Sequence, residues 1–293
     1  MKVDRRKMLL GMAALAAPLP QRLWAQDAVL PLRTPGLDHL DVMVPDVQKT
    51  AKFYMGILDT ELHAQAFRGG KRYFVLFNPL TESREVGYLA VGDSGGRPGY
   101  IGHFCTSIHD WRRDSAAIYA QMGEAIAAAG FGAFPGPSGF GTFEDPDGIE
   151  IQFLPAPDTL VTVAEPDDLV PWHRGLAKPQ GVDSVLLRVS NLERAVTWYG
   201  LLYGKPTWNS ARDTAYFDFP ESQTRLELQQ GRYEHGKPLG IAEFGIKVDS
   251  YDRREVNDAV QALGGEVLAE AGERGEVRIK DPDGNIVRLR AVG

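Results

Sequence analysis

The segment that decides the fold lies at residues 37–44 and reads LDHLDVMV. Its apolar residues largely alternate with polar ones, which is typical of a strand with one buried face. A helical stretch follows and ends in a Phe-Tyr pair at residues 53–54. Residues 182–189, VDSVLLRV, begin a second copy, whose helical stretch ends in Trp-Tyr at residues 198–199. The chain therefore repeats itself.

Two further segments repeat in the same order. Residues 101–104, IGHF, match residues 241–244, IAEF. Residues 144–148, EDPDG, match residues 280–284, KDPDG. The offset in residue number between each segment and its repeat decreases along the chain, so the second copy has shorter loops. The Asp-Pro-Asp-Gly motif predicts a turn, since Pro presets φ and Gly supplies a positive φ before the last strand.

Each copy divides once more into two similar units. In the first unit, a strand at residues 37–44 precedes a helix and three β-rich stretches, and a second unit begins at residues 101–108. This order predicts an α+β protein built from four βαβββ modules. The remaining elements expected in the first copy are a helix at 46–57, strands near 60–67, 71–78 and 84–91, a helix at 111–129, and strands near 132–135, 139–144 and 149–154.

Composition and charge exclude several classes of protein. The 293 residues include 43% apolar and 24% charged side chains, and the net charge is −7. A nucleic-acid-binding protein needs a basic surface, so this class is not expected. The single cysteine, Cys105, excludes an intrachain disulfide and a cysteine-rich zinc site. We expect a small-molecule substrate, no stable membrane insertion, and sheet edges that could pair in a homodimer.

The first 25 residues have the layout of an export signal. A basic head that contains Arg5 and Arg6 precedes a short apolar run, and Ala25 closes a cleavage-type end. The adjacent arginines resemble a twin-arginine signal, which implies a bacterial protein exported to the periplasm already folded. An ordinary secretory signal, or a basic start before a buried helix, is the alternative. The expected domains are 36–155 and 181–293, joined by a Pro-rich linker at 156–180.

The paired βαβββ units, the strand-borne histidines of the first copy, the aromatic pair in the first helix and the Asp-Pro-Asp-Gly turns together resemble one family. This is the vicinal oxygen chelate superfamily, which includes glyoxalase I, bleomycin-resistance proteins and type I extradiol dioxygenases. The resemblance covers nearly all of residues 36–293. It implies two tandem domains, each a curled mixed sheet around a cavity, with a divalent metal ion on the first and last strands of the modules.

The family's metal positions transfer to this sequence one at a time. The two first-strand positions fall on His39 and His103. The last-strand position falls on Gln152, where the family usually has glutamate, and the fourth falls on Ala90. Two imidazoles and one oxygen donor leave room for substrate and O₂, so Fe²⁺ is favoured, with Mn²⁺, Ni²⁺ or Zn²⁺ as alternatives. Ala90 counts against a glyoxalase I, which is expected to supply four ligands.

Other residues on the same strand faces are candidates for catalysis and substrate binding. Glu150 shares a face with Gln152, so it is a candidate general base, or the third ligand if the register differs. Three further residues share faces with the metal positions and are expected to contact substrate: Asp41, Tyr88 and Cys105.

The second copy lacks the metal-binding pattern. Its matching positions hold Ser184, Glu243, Arg288 and Glu227, and a guanidinium cannot bind a metal ion. We expect an internal ion-pair network there, with Arg188 as a further candidate partner, and a degenerate site.

The leading hypothesis is an exported metal-dependent enzyme whose substrate chelates through adjacent oxygens. Ring-cleaving dioxygenation is favoured over lyase or isomerase chemistry. The competing hypothesis, motivated by Gln152, is a metal-free protein that sequesters a small molecule, like the bleomycin-resistance members.

Overall fold

A computed structural model describes residues 30–67, 69–77, 87–138, 141–156, 164–170, 175–231, 239–268 and 276–293. The export signal expected at residues 1–25 lies outside these ranges. The described chain forms two eight-stranded sheets and four helices. The elements of the first half are β1 (Gly36–Val44), α1 (Val47–Ile57), β2 (Leu62–Phe67), β3 (Gly70–Leu76), β4 (Tyr88–Asp93), β5 (Tyr100–Ile108), α2 (Trp111–Ala128), β6 (Thr142–Glu144), β7 (Glu150–Pro155) and β8 (Glu165–Pro166). Those of the second half are β9 (Pro179–Val189), α3 (Leu192–Tyr203), β10 (Thr207–Asn209), β11 (Thr214–Phe219), β12 (Thr224–Gln230), β13 (Gly240–Val248), α4 (Arg253–Ala262), β14 (Glu266–Val267), β15 (Val277–Lys280) and β16 (Ile286–Ala291).

The strand order confirms the α+β architecture of paired modules. The first sheet runs β6-β7-β5-β1-β4-β3-β2-β8, and the second runs β10-β11-β12-β9-β13-β16-β15-β14. In each sheet the first strands of two modules pair antiparallel at the centre, β1 with β5 and β9 with β13. Each central strand also pairs in parallel with the last strand of its own module. Two modules therefore lie side by side in each sheet.

The second module departs from the expected order, because residues 132–135 do not form a strand. Gly132 and Gly136 have φ values of +88° and +79°, in the left-handed region that strands do not use. The expectation of a strand here was wrong. The apolar residues of this stretch instead pack beside α2, where the Phe134 ring stacks on Tyr119.

The helices lie between the two sheets and hold the domains together. Asp46 caps α1 by accepting a hydrogen bond from the Lys49 amide, and Asn191 caps α3 by accepting one from the Arg194 amide. Helix α1 contacts α4, and α2 contacts α3, so one apolar core serves both domains. Strand β1 sends Leu40, Val42 and Val44 into this core. Its other face is therefore free to carry polar side chains.

The two repeated motifs meet across the domain interface. The Tyr54 hydroxyl in α1 donates a hydrogen bond of 2.9 Å to Asp281 Oδ2, in the turn of the other domain. Reciprocally, the Tyr199 hydroxyl in α3 donates one of 2.9 Å to Asp145 Oδ2. Each Asp-Pro-Asp-Gly turn thus receives the tyrosine of the opposite domain, which accounts for the presence of both motifs in both copies.

The segment predicted as a linker also takes part in the first sheet. Residues 165–166 form β8, which pairs antiparallel with β2 and covers the outer edge of that strand. The side chain of Ala164 packs with those of Phe74, Leu76, Tyr88 and Ala90, apart from the main core. Within the described ranges, no helix combines the length and apolar character needed to cross a membrane.

Candidate metal centre

A bulge in β1 builds the centre. Leu37 lies opposite Thr106 of β5 and Leu40 lies opposite Phe104, so Asp38 and His39 together face Cys105. In a regular strand these two neighbours would point to opposite faces. The extra residue instead brings ligand atoms of Asp38, His39 and Cys105 within 4.8 Å of one another.

The His39 ring is held in one orientation by a carboxylate. The side chain is 2% exposed, and its Nδ1 lies 2.8 Å from Asp38 Oδ1. The other Asp38 oxygen accepts a hydrogen bond of 2.7 Å from the Ser107 hydroxyl. Because a carboxylate only accepts, the His39 proton sits on Nδ1 and the Nε2 lone pair remains available. The Tyr88 ring stacks on His39, with centroids 4.3 Å apart.

The Nε2 atom of His103 faces the Nε2 atom of His39. The two Nε2 atoms of His39 and His103 lie 3.4 Å apart, and His103 Nδ1 lies 3.5 Å from Asp41 Oδ2. Burial lowers the pKa of His103 to about 4, against the opposing effect of the Asp41 carboxylate. His103 is therefore neutral at physiological pH, as a metal ligand must be.

The geometry of the two imidazoles fits one metal ion. Nitrogens that each bind an ion at about 2.1 Å stand roughly 3.0–4.2 Å apart, depending on the angle between the bonds. The observed separation of 3.4 Å lies within that range. Without an ion, a proton on one of the two Nε2 atoms makes this contact a hydrogen bond, and a bound cation would take the place of that proton.

Strand β7 offers the third donor. Cys105 pairs with Gln152, and His103 pairs with Glu150, so both β7 residues lie on the face that carries the imidazoles. The side chain of Gln152 hydrogen-bonds with that of His103. Gln152 is thus the β7 residue whose contact with an imidazole the structure records. Glu150 is half-buried on the same face, one rung away.

Arg72 takes part in the centre, although the sequence did not single it out. It reaches Asp41 from β3, with Arg72 Nη2 lying 2.5 Å from Asp41 Oδ1. Asp41 therefore lies between a guanidinium and the His103 ring, and it orients both. Only the register of β3, β4 and β1 brings Arg72 to this point, so no local pattern could have found it.

Asp38 was also missed, but a signal for it was present. It precedes His39 directly, and the second copy retains an aspartate, Asp183, at the matching position. A strand pattern places Asp38 on the face opposite His39, and the bulge reverses that. In the second domain Asp183 forms an ion pair with Arg290.

The cluster of Asp38, His39 and Cys105 is a less suitable metal position than the two Nε2 atoms. Cys105 is fully buried, and burial raises the pKa of its thiol well above the usual value. A thiol must lose its proton to bind a metal ion. The Asp38 oxygens also already accept hydrogen bonds from His39 and Ser107. The side of the centre that faces His103 is therefore the better one.

An apolar patch adjoins the two imidazoles. It is separate from the main core and consists of Phe74, Leu76, Tyr88, Ala90 and Ala164. The Tyr88 hydroxyl lies 3.4 Å from His39 Nε2, which places the expected substrate-contacting tyrosine beside the centre.

The equivalent face of the second domain holds ion pairs. Arg288 Nη1 lies 3.1 Å from Glu227 Oε1, and Arg288 Nε lies 3.8 Å from Glu243 Oε2. Glu243 also pairs with Arg278 at 2.5 Å. The network expected around Arg288 is present, and Arg278 takes the place that the sequence suggested for Arg188.

A cavity of about 430 Å³ lies between the two domains. It meets the metal centre at Asp38 and is otherwise formed by strand ends and turns of both domains. Its polar lining includes Asp38, Ser107, His109, Gln180, Glu221 and Lys247. Within it, His109 Nε2 lies 3.1 Å from Glu221 Oε2, and the Lys247 ammonium donates to the Ser222 carbonyl.

Residues 36–153 match the sequence model of the Glyoxalase/Bleomycin resistance protein/Dioxygenase superfamily. The match covers the first domain, and the second domain repeats its arrangement of strands. A comparison with curated protein sequences finds no match.

Solved structures of several enzymes share the fold. The 2,3-dioxygenase LapB from Pseudomonas sp. KL28 is 15% identical, with 90% of this chain and 94% of that one covered and a TM-score of 0.62. Homoprotocatechuate 2,3-dioxygenase from Arthrobacter globiformis is 14% identical, with 89% and 81% covered and a TM-score of 0.56. The Mn(II)-bound glyoxalase from Novosphingobium aromaticivorans is 12% identical, with 88% and 82% covered and a TM-score of 0.55. At these identities the likeness establishes the fold.

Proposed function

We propose that this protein is a metal-dependent enzyme that acts on a small molecule with two adjacent oxygens, and that its reaction is ring-cleaving dioxygenation. The observation that carries the proposal is the approach of His39 Nε2 and His103 Nε2 to 3.4 Å, with a carboxylate beside each Nδ1. The dioxygenases among the structural neighbours support the reaction class. Lyase or isomerase chemistry would use the same centre.

In this proposal His39, His103 and Gln152 hold the ion. Fe²⁺ suits two imidazoles and an oxygen donor with open positions, and Mn²⁺, Ni²⁺ and Zn²⁺ are alternatives. When bound, the ion would supply Lewis-acid activation of the substrate oxygens and, as iron, a binding position for O₂. Gln152 is neutral, so the full charge of the ion would act on the substrate.

The protein's own residues position the substrate and move its protons. Tyr88 and the apolar patch hold the face of an aromatic ring and exclude water from it. Glu150 is the general base that takes the proton of a substrate hydroxyl, because its half-buried carboxylate lies on the same face as the imidazoles. Asp38 and Asp41 fix the imidazole rings and keep their Nε2 atoms directed at the ion.

Oxygen uptake tests the reaction class. The mature protein, loaded with Fe²⁺ under anaerobic conditions, is mixed with catechol in air-saturated buffer. We expect O₂ consumption together with the absorbance of a ring-opened product, and loss of both in His39→Ala. Metal-dependent conversion of an α-hydroxycarbonyl compound without O₂ uptake would reassign the reaction to the lyase or isomerase class.

The amide of Gln152 favours one alternative, a metal-free protein that sequesters a small molecule. Because Gln152 hydrogen-bonds with His103, the centre has a polar contact that needs no metal ion. Ligand binding that is unchanged by a chelator and by His39→Ala would establish this alternative in place of the enzyme.

We also propose that residues 1–25 direct export through the twin-arginine route to the periplasm. The support is the Arg5-Arg6 pair before a short apolar run. Replacement of both arginines with lysine is expected to retain the protein in the cytoplasmic fraction of a bacterial host. Unchanged periplasmic recovery would indicate an ordinary secretory signal.

A further inference from the structure

The cavity between the two domains has a half-buried ammonium group in its lining. Its volume of about 430 Å³ lies within the range of small-molecule sites, roughly 300–1,000 Å³. Lys247, near the end of β13, contributes the ammonium, which donates to a neutral acceptor, the Ser222 carbonyl oxygen. Across the residues that the structure describes, no carboxylate forms an ion pair with Lys247.

The repeat explains why Lys247 has no anionic partner. When the two copies are aligned, Lys247 takes the position of Ser107. The Ser107 hydroxyl donates to the aspartate of its own copy. In the second copy the matching aspartate, Asp183, accepts instead from Arg290 Nε at 2.6 Å. Asp183 therefore has a cationic partner of its own, and the Lys247 ammonium is left to the cavity.

Burial makes this ammonium unfavourable as it stands. It lowers the pKa of Lys247, against the opposing effect of the Asp183 carboxylate. An ammonium carries three donors, so two remain after the bond to the Ser222 carbonyl. An anionic group at hydrogen-bond distance from Nζ would offset the cost of burial through charge-assisted hydrogen bonds.

The carboxylates of the cavity lining do not take this role. Asp38 lies 2.8 Å from His39 Nδ1 and accepts a hydrogen bond of 2.7 Å from Ser107. Glu221 lies 3.1 Å from His109 Nε2, and its side chain is 61% exposed, so water and salt screen its charge. The lining thus offers an anion a half-buried ammonium, while its carboxylates are engaged or screened.

The walls of the cavity include apolar surface from both domains. The apolar side chains that line it are Pro35, Leu37, Ala156 and Val182. The Leu37 amide donates a hydrogen bond of 3.1 Å to Thr224 Oγ1 of the other domain. A Cβ on Gly36 would lie 2.1 Å from Ser222 Oγ, so only glycine permits this close approach of the two domains. The walls are therefore held in place before a ligand binds.

We propose that the interdomain cavity is a second small-molecule site, which binds an organic carboxylate with its anionic group on Lys247 Nζ and its apolar body against the walls. The site is separate from the two imidazoles, and the inference does not rest on the proposed function. Because both domains contribute to the walls, the ligand binds the folded pair of domains and stabilises it.

Calorimetric titration with benzoate and benzamide tests the proposal, because the two molecules share a shape and differ in charge. The protein is the full mature chain loaded with Fe²⁺ under anaerobic conditions. We expect saturable binding of benzoate, and binding of benzamide that is about tenfold weaker. Lys247→Gln is expected to lower the benzoate affinity about tenfold and to leave that of benzamide unchanged. Lys247→Arg keeps the charge and should retain part of the preference.

Lys205→Gln is the matched control, because Lys205 is exposed beyond the end of α3 and does not line the cavity. It should bind benzoate as the wild type does, and so should His39→Ala. Three results would each overturn the proposal: no saturable binding of benzoate, equal affinity for both probes, or a benzoate affinity that Lys247→Gln leaves unchanged. Loss of benzoate binding in His39→Ala would place the carboxylate at the imidazoles and would overturn it too. If Lys247→Gln fails to fold by thermal denaturation, the comparison of the two probes in the wild type and in His39→Ala decides.

Discussion

His39 and His103 lie on adjacent antiparallel strands with their Nε2 atoms 3.4 Å apart and a carboxylate beside each Nδ1. Asp38 accepts from His39 Nδ1, so the Nε2 lone pair of His39 faces His103 Nε2. Burial keeps His103 neutral by lowering its pKa. The proposed metal centre rests on this arrangement, in which both ligand rings would be fixed before the ion arrives.

Replacement of the neutral donor by a carboxylate should tighten the site. In Gln152→Glu the ion would gain an anionic ligand, and we expect the affinity for Fe²⁺ or Mn²⁺ to rise on the order of tenfold. Competition with a chelating dye measures this. Gln261→Glu, on the exposed face of α4, adds the same charge elsewhere and should have no effect. A weaker site in Gln152→Glu would remove Gln152 from the ligand set.

Loss of the carboxylate behind His39 should weaken metal binding without touching a ligand. Asp38→Ala frees the His39 ring to change tautomer and orientation, and we expect roughly a 10- to 100-fold loss of metal affinity. Asp38→Asn keeps an oxygen that accepts from Nδ1 and should lose less. The exposed Asp258→Ala serves as control. Equal affinity in the wild type and Asp38→Ala would show that Asp38 does not position the ring.

The reciprocal tyrosines should matter for stability. Tyr199→Phe leaves the buried Asp145 without its hydroxyl partner, and Tyr54→Phe does the same to Asp281. We expect each change to lower the free energy of unfolding by about 1–2 kcal/mol. Tyr100→Phe, at an exposed position, should change it little. Denaturant titration measures these differences, and unchanged midpoints in the first two variants would rule out a stabilising role for these bonds.

The stability of the interface should depend on pH through Asp145. Burial raises the pKa of Asp145 to about 6, against the hydrogen bonds that it accepts. The folded state therefore binds the proton more tightly than the unfolded chain, so this contribution is full below about pH 4 and is lost as the pH rises through 6. The loss is on the order of 3 kcal/mol.

Asp145→Asn should remove this loss of stability at rising pH, because the amide stays neutral at every pH. Denaturant unfolding at pH 4, 5, 6 and 7 measures the difference between the wild type and the variant. We expect the advantage of the variant to grow as the pH rises over this range. A difference that does not vary with pH would contradict the shifted pKa of Asp145.

Much of the fold could be predicted because the sequence contains two copies of the same order of segments. The matched segments established the βαβββ order, and strand alternation placed His39, Asp41 and His103 on one face. The stretch at 132–135 was misassigned because its glycines adopt a left-handed conformation that composition does not reveal. Its apolar residues alone resembled a strand.

The surroundings of the imidazoles depended on features that no single segment contains. Asp38 reaches His39 through a bulge, and Arg72 reaches Asp41 through the register of three strands. Sequence periodicity indicates which face of the sheet a residue occupies, whereas strand pairing determines which side chains it contacts there.

Metal content tests the central claim most directly. The mature protein and three histidine variants are incubated anaerobically with Fe²⁺, freed of unbound metal and measured by inductively coupled plasma mass spectrometry. The account predicts about one ion per chain in the wild type and in the control His109→Ala, and loss of the ion in both His39→Ala and His103→Ala. A wild-type protein that retains no metal, or variants that retain as much as the wild type, would contradict it.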